Sequence, residues 1–132
     1  MKKYIVKKEA GKSAAIEEFR EYSLGELQEY VGGYIEAFNP NIVNRDIFGF
    51  CNEEGKVNGL VPNFCLKDSK GLTGDIITGN AIFFGGADKD GNSVGMTLGE
   101  AFEVGLAVNI LSLIPTDSGD IVINDVRYVV HG

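Results

Sequence analysis

The chain has 132 residues, 44% of them apolar and 23% charged, with a formal net charge of −7. That length suits one domain, 1–132, and the recurring apolar runs exclude a disordered chain. The acidic balance disfavours direct binding of DNA or RNA, which needs a basic surface.

The charge is uneven. Residues 1–12 hold five Lys against one Glu, whereas residues 13–36 hold six Glu against one Arg. Lys2, Lys3, Lys7, Lys8 and Lys12 read as a solvated strand edge guarded by lysine, or else as a small basic patch. Tyr4, Ile5 and Val6 open a strand over residues 3–8, residues 9–13 form a turn, and residues 14–22 return as a second strand. Gly11-Lys12-Ser13 imitates the end of a phosphate-binding loop. However, the leading glycine is missing, because position 6 is Val6, and the segment joins two strands.

Ser23-Leu-Gly-Glu26 is a capping box that starts a helix over about residues 24–32, and Gly32-Gly33 stops it. Strands follow over residues 34–38 and 46–52, with Asn39-Pro40-Asn41 between them. Residues 52–56 form a turn. Residues 59–63 are expected to be irregular, because Pro62 cannot donate to a ladder. Residues 75–85 read as one buried strand with a bulge at Gly79-Asn80.

Residues 87–95 are a polar loop flanked by Gly85-Gly86 and Gly95, which reads as an ordinary surface loop or, alternatively, as a lid over a small-ligand pocket between the sheet and the second helix. Asp88-Lys-Asp-Gly-Asn92 resembles a calcium loop. Its Gly91 stands fourth instead of sixth, and Gly99 replaces the bidentate Glu, so a tight turn is the better reading. Thr97-Leu-Gly-Glu100 repeats the capping box and starts a second helix with Leu98, Ala101, Phe102 and Leu106 on one face. Residues 109–114 continue that helix or begin a strand. Residues 119–130 form a closing hairpin across an Asn124-Asp125 turn.

This order predicts an α+β fold: a mixed sheet packed by one or two helices, with a β-grasp-like core and a C-terminal β-hairpin. A ferredoxin-like arrangement is the alternative.

Catalytic signals are weak. His131 is the single histidine, so neither Cys51 nor Cys65 has an obvious base, and the two read as buried, reduced thiols. They form no zinc set with His131, and neither a metal nor a cofactor is expected. Adjacent Glu53 and Glu54 would point to opposite faces of a strand and make a poor acid/base pair. No leader precedes Tyr4, and the apolar run 101–114 is too short to span a bilayer, so no membrane role is expected.

Leu27-Gln-Glu-Tyr-Val-Gly-Gly-Tyr-Ile-Glu36, Cys51-Asn-Glu-Glu-Gly-Lys56, Gly59-Leu-Val-Pro-Asn63 and Ile77-Thr-Gly-Asn-Ala-Ile-Phe-Phe-Gly85 carry a resemblance. Together, over roughly residues 3–88, they resemble the domain-of-unknown-function family thirty-eight forty-six, small bacterial proteins often encoded by phages and plasmids. The resemblance implies a mobile-element setting and a cytoplasmic location, and it brings no catalytic residues.

The expected function is therefore a non-enzymatic binding module for a host or mobile-element protein or a small ligand. Asn52, Glu53, Glu54 and Asn63 would line its polar surface, and no catalytic residue is assigned. The alternatives are acidic mimicry of DNA through Glu17, Glu18, Glu21, Glu26, Glu29 and Glu36, and a small-metabolite domain. The apolar stretch 104–114 needs a cover, which a homodimer would supply.

Overall fold

A computed structural model of the protein describes residues 1–67, 73–112, 114–115, 121–123 and 126–128. Its centre is a five-stranded sheet in the order β2-β1-β7-β4-β3. The strands are β1 (Tyr4–Lys8), β2 (Ala15–Glu18), β3 (Ile35–Phe38), β4 (Phe48–Asn52) and β7 (Ala81–Phe84). All four pairings are antiparallel, so the α+β class holds while the sheet is not mixed in direction. The reason lies in the connections: β1–β2 and β3–β4 are joined locally, and β7 enters between β1 and β4 from a separate ribbon.

That ribbon is β5 (Pro62–Lys67) paired with β6 (Thr73–Thr78). The expectation of an irregular 59–63 segment is corrected here: Pro62 is the first residue of β5, where the missing donor is tolerated. The expected single strand over residues 75–85 is also two strands. Gly79 takes a φ of 76°, and its N–H donates to the Val61 carbonyl at 2.8 Å. Gly79-Asn80 is thus the corner where the chain leaves the ribbon for the sheet, and not a bulge.

Both faces of the sheet are covered. Alternation along the strands sends Ile5, Ile82 and Phe84 to one face, where they meet Leu27 of α1 (Leu24–Val31). Val6, Ala81 and Phe83 go to the other face. There they meet Phe64 and Ile77 of the ribbon and Ala101, Val104 and Val108 of α2 (Leu98–Leu111). Phe64, Phe83 and Phe84 are fully buried, and each contributes roughly 1.5–3 kcal/mol.

Both capping boxes form as expected, with Ser23 accepting from the Glu26 amide and Thr97 from the Glu100 amide, each at 3.1 Å. Gly32 ends α1 with a φ of 83°, a left-handed conformation that side chains resist. On α2 the buried face differs from the expected one. Ala101, Val104, Gly105 and Val108 face inward, while Leu98, Phe102, Leu106 and Ile110 are exposed. The helix is apolar nearly all round, so periodicity cannot choose its face. The small Ala101 and Gly105 let it lie close to β1 and β2, with Asn109 Oδ1 accepting from the Ala14 amide at 2.8 Å.

The polar loop at 87–95 is a short hairpin of β8 (Gly86–Ala87) and β9 (Ser93–Val94). At the C-terminus β10 (Ile114–Pro115), β11 (Ile121–Ile123) and β12 (Val126–Tyr128) form an antiparallel sheet. The expected hairpin is thus present, while its Asn124-Asp125 turn lies outside the described residues. Among the described residues, no helix is long and apolar enough to cross a membrane.

Candidate functional site

The four sequence-predicted residues divide into two places. Asn63 is buried at the foot of β5. Its Nδ2 donates to the Lys8 and Gly79 carbonyls, both at 2.8 Å, and its Oδ1 accepts from Lys8 Nζ at 2.9 Å. Lys8 is itself fully buried and also donates to the Glu9 carbonyl at 3.0 Å. The side chain of Asn63 therefore ties β1, β5 and the Gly79 corner together and faces no solvent. This corrects two expectations: Asn63 is not part of a polar surface, and Lys8 is no surface lysine. Nor is β1 an edge, because β2 and β7 flank it. Lys2, Lys7 and Lys12 do stand outward, paired with Glu18, Glu17 and Glu9.

Asn52 is also buried, at the end of β4. Its Nδ2 donates to the Val31 carbonyl at 3.2 Å, and its Oδ1 accepts from the Glu54 amide at 2.8 Å. It fastens the C-terminus of α1 to the turn at 53–59. Gly33 is required beside it, because a Cβ there would stand 2.8 Å from Asn52 Nδ2. Asn52 shapes the site without offering its amide to a ligand.

Glu53 and Glu54 are exposed at the start of that turn and lie in no strand. Both line a cleft of about 260 Å³ between the β3–β4 end of the sheet and the β5–β6 ribbon. Its apolar floor is Phe38, Cys51, Leu66 and Ile77, and Glu36 and Asp75 add two more carboxylates. Among the described residues Lys56 is the one cation on the wall, and it is ion-paired with Asp75 across the mouth. That lysine, with the Ile76 amide, holds the Asp75 carboxyl below the ordinary carboxylate range.

Burial, with the Glu36 and Asp75 charges, pushes the Cys51 thiol up to about 11. At neutral pH it is a protonated thiol, a poor nucleophile and a poor metal ligand. Among the described residues, no three histidine, cysteine or acidic side chains come together as a metal site would require. The carboxylates are spread along the wall, and what they offer is a negative field over an apolar floor.

The sequence places Glu36 only among the acids weighed for DNA mimicry, and it does not single out Asp75. Glu36 stood inside a recognisable segment, and the alternation that aligns it with Cys51 was available. Asp75 reaches the cleft only through the ribbon, which Pro62 had hidden. Asp88–Asn92 is a turn as expected, with Asp88 Oδ1 accepting from the Asp90 and Asn92 amides at 2.9 Å each. The hairpin around it borders a smaller hollow of about 140 Å³ with Phe19, Tyr22 and Leu27, and not the acidic cleft. Of the six glutamates weighed for DNA mimicry, Glu17, Glu18 and Glu26 are paired with Lys7, Lys2 and Arg20.

No curated protein and no solved structure matches the chain. A family model does match, over residues 1–105, and so takes in the β8–β9 hairpin and the first half of α2 as well as the cleft. The chain belongs to the family described as a domain of unknown function, DUF3846.

Proposed function

We propose that the protein is a non-enzymatic binding module whose acidic cleft receives a cationic group, carried by a partner protein or a small ligand. The observation that carries this reading is the arrangement of Glu36, Glu53 and Glu54 on one cleft where Lys56, the one lysine among the described lining residues, is already held by Asp75. A cation entering there gains attraction over an apolar floor that also accepts its aliphatic stem. The protonated Cys51 thiol favours binding over covalent chemistry.

Acidic mimicry of DNA is less well supported, because half of the glutamates it would use are neutralised by neighbouring cations. Cys51 and Cys65 are buried and form no disulfide, which suits a reducing cytoplasm. In the mobile-element setting that the family resemblance implies, the partner would be a host or element protein.

The reading is tested by NMR titration with agmatine, a small guanidinium amine. The expected result is salt-sensitive shifts at the amides of Glu36, Cys51, Glu53, Glu54 and Ile77. Shifts confined to other surfaces, or none at tens of millimolar, would overturn it.

A further inference from the structure

Among the described residues β3 is an outer strand of the main sheet, paired on one side only. Its register fixes which backbone groups are free. The Glu53 N–H donates to the Tyr34 carbonyl at 2.8 Å, which makes Tyr34 and Glu53 a hydrogen-bonded pair. Glu36 faces Cys51 and Phe38 faces Gly49 in the same register, so these residues also spend their backbone groups on β4. The N–H and C=O of Ile35 and Ala37 therefore point outward. Side chains follow the opposite logic: Glu36 and Phe38 lie on the cleft side, while Ile35 packs on the α1 side.

Several usual guards of an edge are absent from this strand, which has only its shortness and the charge of Glu36. Ile35–Phe38 contains no lysine, no proline and no bulge. At the other edge of the sheet, by contrast, Glu17 and Glu18 of β2 are paired with lysines, and the preceding Ala14 amide is capped by Asn109.

We propose that the partner is an extended basic peptide segment, which adds to β3 as a sixth strand and projects a Lys or Arg into the acidic cleft. Strand addition supplies main-chain hydrogen bonds, and a pocket for alternate side chains supplies the specificity. A peptide bonded to Ile35 and Ala37 places the intervening residue opposite Glu36. That residue belongs to a non-hydrogen-bonded pair, with Cβ atoms about 4.5–5.5 Å apart. Its side chain then lies on the cleft face, within the field of Glu36, Glu53 and Glu54. Pro40 ends the edge two residues beyond Phe38, which limits the segment to four or five residues. The proposal rests on the cationic-cleft reading and adds the strand to it.

The experiment uses the full chain and an alternating Lys–Thr hexapeptide, in which every Lys falls on one face of a strand. Hydrogen exchange should show the Ile35 and Ala37 amides unprotected in the free protein and protected by the peptide. A peptide N-methylated at alternate residues, in the register facing Ile35 and Ala37, should bind roughly tenfold more weakly. If both peptides bind equally and the two amides stay unprotected, the added strand is refuted while the cleft reading stands. If neither peptide nor agmatine binds, both fail together. Ala37→Pro removes one outward donor and should weaken the unmethylated peptide alone, and the methylated ligand covers the case in which that variant does not fold.

Discussion

The Lys8–Asn63 knot and the acidic cleft are built from the same kind of polar residue, and they do opposite things with it. In the knot every hydrogen bond is turned inward: Asn63 meets Lys8 and Gly79, and Lys8 also meets the Glu9 carbonyl. In the cleft Asn52 is turned inward to hold the turn, and Glu53 and Glu54 beside it are left in water. A polar residue with all its partners supplied by the fold specifies structure. A carboxylate with none in a cleft is available to a ligand.

Substitutions can break that comparison. The largest stability effect is expected from Asn63→Ala, which strips the Lys8 ammonium and two buried carbonyls of a partner. The loss should be on the order of 3 kcal/mol, or roughly 10 °C in Tm by thermal unfolding. Asn52→Ala removes two such bonds and should cost about 2 kcal/mol, and it should also loosen the turn and reduce affinity for a cation. Ser23→Ala and Thr97→Ala each remove a helix cap and should cost about 1 kcal/mol without touching the cleft. Glu53→Gln with Glu54→Gln should leave stability within about 0.5 kcal/mol. Its effect should fall on binding, with a several-fold weaker and less salt-dependent interaction with agmatine.

A pH experiment sharpens the same contrast at Cys51. Its folded thiol titrates near 11, against 9.0 for an ordinary cysteine. Between those values the unfolded chain releases a proton that the folded one keeps, so stability falls as pH rises through that window. At pH 8 Cys51 should react slowly with iodoacetamide in the native protein and quickly after denaturation. Fast native labelling would contradict the protonated, buried thiol.

Much of the frame was legible in the residues. The two capping boxes, the Gly32 stop and the hairpin around Gly11 obey local rules, and local rules can be read from a few neighbours. The failures share a cause. Pro62 reads as a break because its place at the head of a strand depends on β6, and Gly79-Asn80 reads as a bulge because only the tertiary path makes it a corner. Asn63 reads as surface because polarity marks exposure only when no buried partner exists, and its partner Lys8 lies 55 positions away. Glu53 and Glu54 read as exposed for the opposite reason: they stand outside the strands, and among the described residues neither side chain is drawn into the core. The buried face of α2 is unreadable from its pattern, because apolar residues stand on both faces: Ala101, Val104 and Val108 inside, and Leu98, Phe102, Leu106 and Ile110 outside.

The separation of the two regions is measured most directly by taking Tm and agmatine affinity together on Asn63→Ala and on the Glu53→Gln, Glu54→Gln double variant. The first should lose Tm and, below its transition, keep its affinity, while the second should keep Tm and lose affinity. Unchanged affinity in the double variant would contradict the claim that these carboxylates receive the ligand.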